Sequence, residues 1–227
     1  DYTNRLMVKN AQVAALRAQV NPHFMNNLLQ SIGTLALENG NMDVYTAITM
    51  LSELMHYTYR GDLKTVPLDT ELEYMERYIA VQKIRFGDAL RYRTEIEPAL
   101  MSVPVPNMIL QPLIENAINY GFRAGIRELN ICLRAFRRDG WLHLLVTDDG
   151  RGMQPEQLEK IREELSQTRN IDSFGEHIGL KNVYLRLYLT FGEQMNMSVE
   201  SRLMEGTQVE MSFAVMEWKE EAECIPH

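Results

Sequence analysis

Cysteine is scarce in this 227-residue chain: only Cys132 and Cys224 occur, far apart in sequence. That excludes a disulfide framework and any cysteine-spaced metal knot, and it points to free thiols in a reducing compartment. Positive charge is also in deficit. Lys and Arg number 23 against 31 Asp and Glu, for a net charge of −8 and a pI near 5.2. A nucleic-acid binder normally carries a basic face, so that class of partner is set aside. No apolar run approaches the ~20 residues of a membrane span, no signal peptide is visible, and neither repeats nor low-complexity tracts stand out. What remains is ordinary for a soluble globular protein, 45% hydrophobic and 24% charged, in one large domain or two modest ones.

The chain opens inside a helical pattern with no start signal of its own. The expectation is therefore a segment of a longer protein, with any membrane anchor upstream. Within residues 16–35 and just before them, Val13, Leu16, Val20, Phe24, Leu28, Ile32 and Leu35 recur at three- and four-residue steps, the spacing of a buried helical stripe. A polar row of Gln19, His23, Asn27 and Gln30 runs beside it. His23 thus stands at the edge of a packed seam with a carboxamide one turn away on each side. A lone flank histidine is usually just a solvated residue. Even so, a neutral exposed imidazole is a competent nucleophile for a phosphoryl group. Pro22 requires either a kink or a new helix capped by Asn21, and the unbroken apolar phase favours the kink.

Asn39-Gly40-Asn41 ends the first helix, and a second, residues 42–59, places Val44, Ile48, Leu51, Leu54 and Met55 on one side. The resulting hairpin has an apolar stripe too long to cover itself, so a homodimeric four-helix bundle is expected. A third helix follows Pro67, with Asp69 or Thr70 as its cap, and closes at Gly87-Asp88. The character then changes. Strands are read at 90–97, 129–136, 141–147, 195–202 and 207–215, and helices at 107–120, 155–166 and 180–189, with 103–106 extended and 167–177 without period. The plan is α+β, in two domains: 1–88, helical, and 89–227, mixed.

Three polar clusters punctuate the second domain. Glu115, Asn116 and Asn119 share a face of the helix beginning near 107, and oxygen donors so spaced suit a hydrated Mg²⁺ that bridges phosphates. Asp148-Asp149-Gly150-Arg151-Gly152 follows a strand, where a carboxylate can accept a hydrogen bond from an exocyclic amine and glycines let a flat base approach. Gly175 to Asn182 opens a helix, where backbone amides can meet phosphate and Lys181 can add charge. Each cluster alone has a plainer explanation as a solvated helix face, an acidic turn or a loop junction.

Together, and in this order, the motifs resemble the sensor histidine kinases of two-component systems, above all the LytS/YesM-type subgroup. Gln19-Val20-Asn21-Pro22-His23-Phe24 matches the phospho-acceptor motif, with Asn27 at the following asparagine. Val66-Pro67-Leu68-Asp69, Glu71-Leu72, Tyr78 and Gln82-Lys83-Ile84-Arg85-Phe86 resemble the subgroup's linking run. Gln111-Pro112-Leu113-Ile114-Glu115-Asn116-Ala117 resembles the N box, and Asp148, Gly150 and Gly152 match the first glycine box. Gly175, Gly179 and Leu180 match the second, and Gly206-Thr207 the last.

The resemblance implies a dimeric four-helix bundle followed by a Bergerat-type α/β sandwich that binds ATP, of the kind shared with gyrase-like (GHKL) ATPases. It assigns His23 as phosphoryl acceptor, with Asn27 as a positioning or phosphatase residue. Asn116 and Asn119 go to Mg²⁺ and the triphosphate, Asp148 to the adenine amine, and Gly150, Gly152, Gly175, Gly179, Leu180 and Thr207 to the nucleotide pocket; Glu115 joins the Mg²⁺ set and Lys181 the pocket on the residue reading alone. Residues between Met153 and Gly175 would be a mobile lid. The implied cofactors are ATP and Mg²⁺. The implied partners are a second copy of the chain and the receiver domain of a response regulator, whose aspartate takes the phosphoryl group at the cytoplasmic face of the membrane. Departures are specific. Phe24 stands where many such kinases have an acidic residue, Tyr120 replaces a frequent histidine, and His177 occupies a place often held by glycine. Pro112 stands where related ATPases have a water-activating glutamate, which disfavours hydrolysis. The alternative is a non-catalytic dimeric scaffold with a degenerate pocket.

Overall fold

A computed structural model of the chain describes residues 22–59, 65–167 and 178–215; within its helices the side chains at 22–24, 26, 53–59, 123, 167 and 178 fall outside that description. Gln19, Asn21, Gly175, His177 and Cys224, and the apolar positions Val13, Leu16 and Val20, lie outside the described residues. The choice between kink and cap at Pro22 falls with them.

The chain divides into two compact units, Asp1–Gly61 and Asp62–His227. The expected division near residue 88 therefore differs from the compact units, because the third helix, residues 68–86, packs within the second. In the first unit α1 (Pro22–Glu38) and α2 (Met42–Tyr59) form the expected hairpin. Gly40 takes a φ of 72°, and the Asn41 side chain accepts the Val44 N–H at 3.2 Å, capping α2 as the turn-rich sequence demands. The inner seam is not the long apolar stripe. Leu29 is buried, and Gly33 leaves room for Tyr45 and Ile48, at 3.6 and 3.5 Å from where a Cβ would sit. Leu28, Ile32 and Leu35 on α1, with Val44 and Leu51 on α2, remain 40–57% exposed.

The second unit is built on period-two sequence. It comprises β1 (Thr65–Pro67), α3 (Leu68–Phe86), β2 (Leu90–Ile96), β3 (Pro104–Pro106), α4 (Gln111–Arg123), β4 (Leu129–Arg138) and β5 (Trp141–Asp148). These are followed by α5 (Pro155–Gln167), α6 (Ile178–Phe191), β6 (Met195–Arg202) and β7 (Gly206–Ala214). Strands β1 and β3 pair as a small antiparallel ladder, and the main sheet has the order β2-β4-β5-β7-β6. All its neighbours are antiparallel except β2 and β4, which are parallel and joined by the crossover that contains α4. Alternate residues form one inward row across the sheet: Leu133 opposite Val146, Val146 opposite Val209, and Val209 opposite Val199. All four are buried, whereas Asn130, Arg134 and Glu200 of the other row are exposed. That alternation is the mark of a sheet covered by helices on one face and open on the other. The fold is α+β, as expected.

Three expectations are corrected. Helix α3 starts at Leu68 behind Pro67, with no side-chain cap from Asp69 or Thr70, because the Leu68 and Asp69 N–H groups go to the carbonyls of Val103 and Met101 at 2.9 Å. Helix α4 starts at Gln111 and not at Asn107, since Met108 holds a φ of 57° and the preceding amides bond to Glu71 instead. Much of the expected lid is α5, which buries Leu158, Ile161 and Leu165 and is tied to β6 by Arg162, whose Nε and Nη2 donate to the Val199 carbonyl at 3.2 and 3.0 Å.

Candidate functional site

A cleft of about 340 Å³ opens in the second unit where α4, the ends of β5 and β7, and the starts of α5 and α6 converge. Its walls are apolar, from Leu113, Ala117, Val146, Leu180 and Val209, and a few polar groups project into it, chiefly Asn116, Asp148 and Thr207. That size and composition suit a flat, mostly apolar ligand oriented by a few hydrogen bonds.

Sheet parity explains why Asp148 is there. Leu142, Leu144 and Val146 point inward along β5, and Asp148 is the next residue of that row, paired with Thr207 on β7. Its carboxyl is thus carried into the space beneath the helices. Burial pushes its pKa from the usual carboxylate value up to about 6, against the pull of the Gly150 and Thr207 amides, and the neighbouring Asp149 raises it slightly. The Gly150 N–H donates to Asp148 Oδ1 at 2.9 Å. Asp149, of opposite parity, turns away and accepts the Asn130 N–H at 2.7 Å. The two adjacent aspartates therefore do different work, and parity alone separates them.

The glycines frame this carboxyl. Gly206 has a φ of 95°, and a Cβ there would fall onto the Asp148 carbonyl oxygen; Gly152 has a φ of 65°, and its Cβ would fall onto the Arg202 carbonyl oxygen. A side chain at either position meets backbone, so both are required by close approach. Gly179 opens α6 against Asn116, whose Nδ2 lies 3.2 Å from the position of an added Cβ. Ser201 Oγ stands 3.0 Å from Thr207 Oγ1 and donates to the Gly206 carbonyl at 2.7 Å, fixing the Thr207 hydroxyl. No local motif marked Ser201; only its register opposite Thr207 on β6 does.

Of the residues singled out from sequence, the structure brings Asn116, Asp148, Gly152, Leu180 and Thr207 to the cleft, with Gly150 and Gly179 packed directly behind it. It does not bring Glu115, Asn119 or Lys181 to the lining. Glu115 is exposed and stands beside Tyr78 of α3, whose hydroxyl pKa is pushed up first by burial and then by that carboxylate. Asn27 is exposed on α1 of the first unit, and the His23 side chain lies outside the described residues. Leu113 and Ala117 entered the sequence reading only within the N-box run and Tyr120 only as a departure, although with Asn116 they lie at the three- and four-residue steps of a single helix face, a signal that was available. Arg151, Gln154 and Gln157 at the rim carried no such signal.

Among the described residues no group of three or more His, Cys, Asp or Glu side chains can hold a metal ion. The donor set fits an ion carried mainly by a ligand's own oxygens, with the Asn116 carboxamide as the protein's contribution, and it does not fit a preformed cage.

Two family models match the chain, one described as histidine kinase over residues 11–90 and one described as histidine kinase-, DNA gyrase B-, and HSP90-like ATPase over residues 105–216. The sensor protein kinase HptS of Staphylococcus aureus is 31% identical over 210 residues, covering 92% of this chain and 39% of that protein. The chain thus spans about two fifths of the length of the curated relatives it matches. Among solved structures, full-length ShkA in complex with AMPPNP aligns with a TM-score of 0.50 at 16% identity over 90% of this chain and 46% of that one, a likeness of fold alone. The histidine kinase domain of a blue-light activated kinase from Erythrobacter litoralis aligns at 0.46 and 16% identity, over 93% and 94% of the two chains.

Proposed function

From the two family matches and the sensor kinase relative we propose that the chain is a histidine kinase, the catalytic region of a sensor kinase of the LytS/YesM type. It takes Mg-ATP into the cleft of the second unit, phosphorylates His23 of the first, and passes the phosphoryl group to an aspartate on the receiver domain of a response regulator. The observation that carries the proposal is the mostly apolar cleft with a partly buried carboxyl, Asp148, at one point and a carboxamide, Asn116, at another. Ionised Asp148 accepts the adenine amine, and the apolar walls take the base. Asn116, with Gly179 packed against it, orients the phosphate end, and Thr207 is held ready by Ser201. Asn116 would hold a Mg²⁺ brought by the triphosphate, which would supply charge neutralisation for phosphoryl transfer, and the protein's own contribution is positioning. Asn27, one turn after His23, orients the ring or a water. A water-activating carboxylate is absent four residues before Asn116, where Pro112 stands in the first turn of α4, which favours transfer over hydrolysis.

We further propose that the first unit pairs with a second copy through the exposed stripe of Leu28, Ile32, Leu35, Val44 and Leu51, giving a four-helix bundle. None of the helices among the described residues is long and apolar enough to cross a membrane, so a link to the cytoplasmic face of one would come from a segment outside the described residues. The test is incubation with ATP labelled at the γ-phosphate. Acid-labile label on the wild type that vanishes in His23→Ala is expected. Equal labelling of both refutes the acceptor, and no Mg-ATP-dependent label at all favours the scaffold alternative.

A further inference from the structure

Two of the three buried polar side chains among the described residues, Glu71 and Asn107, meet at one place outside the cleft. That place is the loop 107–110, which leads into α4. The Glu71 carboxylate, fully buried on α3, accepts the N–H groups of Met108 at 2.6 Å, Ile109 at 3.1 Å and Leu110 at 3.3 Å. From the other side Arg186 of α6 donates through Nη1 to the Asn107 carbonyl at 3.0 Å and to its Oδ1 at 2.9 Å. Between these grips Met108 holds a left-handed φ of 57°, a conformation that a non-glycine residue keeps only when its surroundings impose it. A carboxylate withdrawn from water and then satisfied by three amides defines a geometry more than it adds net stability.

The clamp is one end of a longer seam. Tyr74 Oη donates to Gln111 Oε1 at 3.0 Å, Tyr78 stands by Glu115, and Phe86 stacks on Phe122 with centroids 4.0 Å apart and planes 6° from parallel. The pairs 71 with 108 and 74 with 111 are each 37 residues apart. A near-constant offset down both helices means that α3 and α4 run side by side in the same direction. The opposite flank of α4 carries Leu113, Asn116 and Ala117 into the cleft.

We infer that Glu71 is a positioning residue for the nucleotide site. By fixing where α4 begins, and with the seam fixing its rotation, it sets the place of Asn116 and hence the grip on the phosphate end of the ligand. The inference rests on the nucleotide reading of the cleft. Asp148 stands on β5, independent of the clamp, so the two ends of the ligand respond differently.

The experiment measures the dissociation constants of Mg-AMP-PNP and of adenosine, which has no phosphates, for the full chain and its Glu71→Gln variant well below the melting temperature. Glu71→Gln keeps size and one acceptor oxygen but loses the charge shared by three donors. The Mg-AMP-PNP constant is expected to rise about tenfold, the size of one charge-assisted hydrogen bond, while the adenosine constant stays within about twofold. A role in stability alone would lower the melting temperature and leave both constants unchanged, which overturns the inference; equal weakening of both ligands overturns it too. If Glu71→Gln is not folded under the assay, Tyr74→Phe, which removes the bond to Gln111, is read by the same pair of ligands and the same contrast. Wild type binding neither ligand brings down the nucleotide reading itself, an outcome visible before any variant is made.

Discussion

Protonating Asp148 should release an adenine nucleotide from this protein, and the size of the effect follows from where β5 ends. Burial raises the carboxyl to about 6, so in the empty cleft it is almost fully ionised at pH 7.5 and mostly protonated at pH 5. Only the ionised form accepts the amine without losing a hydrogen bond. Affinity for Mg-AMP-PNP is therefore expected to fall about tenfold between those two values, as the charged fraction drops to roughly a tenth. Binding holds the ionised form, so it should release a proton near pH 6, measurable by calorimetry in two buffers of different ionisation enthalpy. The same shift has a consequence for stability, with a definite sign. A carboxyl whose folded value lies above its unfolded value of 3.8 binds more protons in the fold, so it costs stability increasingly as pH rises from about 4 to about 6, and the cost is constant above that. Asp148→Asn should thus stabilise the ligand-free protein at pH 7.5 by something on the order of 2–3 kcal/mol, and match wild type near pH 3.5, in urea unfolding. At the same time its nucleotide affinity should be weaker and independent of pH. A wild-type affinity that is flat from pH 5 to 8, or an Asp148→Asn protein less stable than wild type at neutral pH, would refute the assignment of a partly buried, ligand-facing carboxyl.

Other consequences are simpler to state. Gly206→Ala should destabilise the second unit by more than about 3 kcal/mol, since its Cβ would meet the Asp148 backbone at a φ of 95°; a melting temperature within a degree or two of wild type would contradict the close approach. Asn116→Ala and removal of Mg²⁺ with EDTA should each weaken AMP-PNP binding about tenfold or more while sparing adenosine, and a further loss when EDTA is added to Asn116→Ala would place the ion on other groups. Leu35→Glu, at the most exposed apolar position among the described side chains of α1, should convert a dimer to monomers at micromolar concentration in sedimentation velocity; an unchanged sedimentation coefficient would move the dimer interface elsewhere.

Much of the second unit was legible because its signals are local. Alternating strands joined by Arg138-Asp139-Gly140 and by Glu205-Gly206 declare themselves within a few residues, and the antiparallel pairs form as the periodicity requires. Asp148 was legible as a carboxylate at a strand end, and the register of β5 adds that its parity carries it to the inward face. Less legible was anything set by residues distant in sequence. The start of α4 was read four residues early because its competing partner, Glu71, is 37 residues away. Glu115 looked like a companion of Asn116 because they are adjacent, yet neighbours on a helix point about 100° apart, and here one faces α3 while the other faces the cleft.

The order of residues by itself determined the elements and the chemical kinds of group at the cleft, since these depend on periods of two and 3.6 and on short spacings, and it carries the run around His23 that resembles a phospho-acceptor motif. Tertiary structure alone decided that α3 belongs with the nucleotide unit, that the hairpin closes on Leu29 and Gly33 while its longer apolar stripe stays outside, and which polar groups share a cavity. Those outcomes depend on which of several apolar faces finds the better fit and on where a buried carboxylate finds its amide partners. Such contests are settled between segments far apart in the chain, where no local pattern records the result.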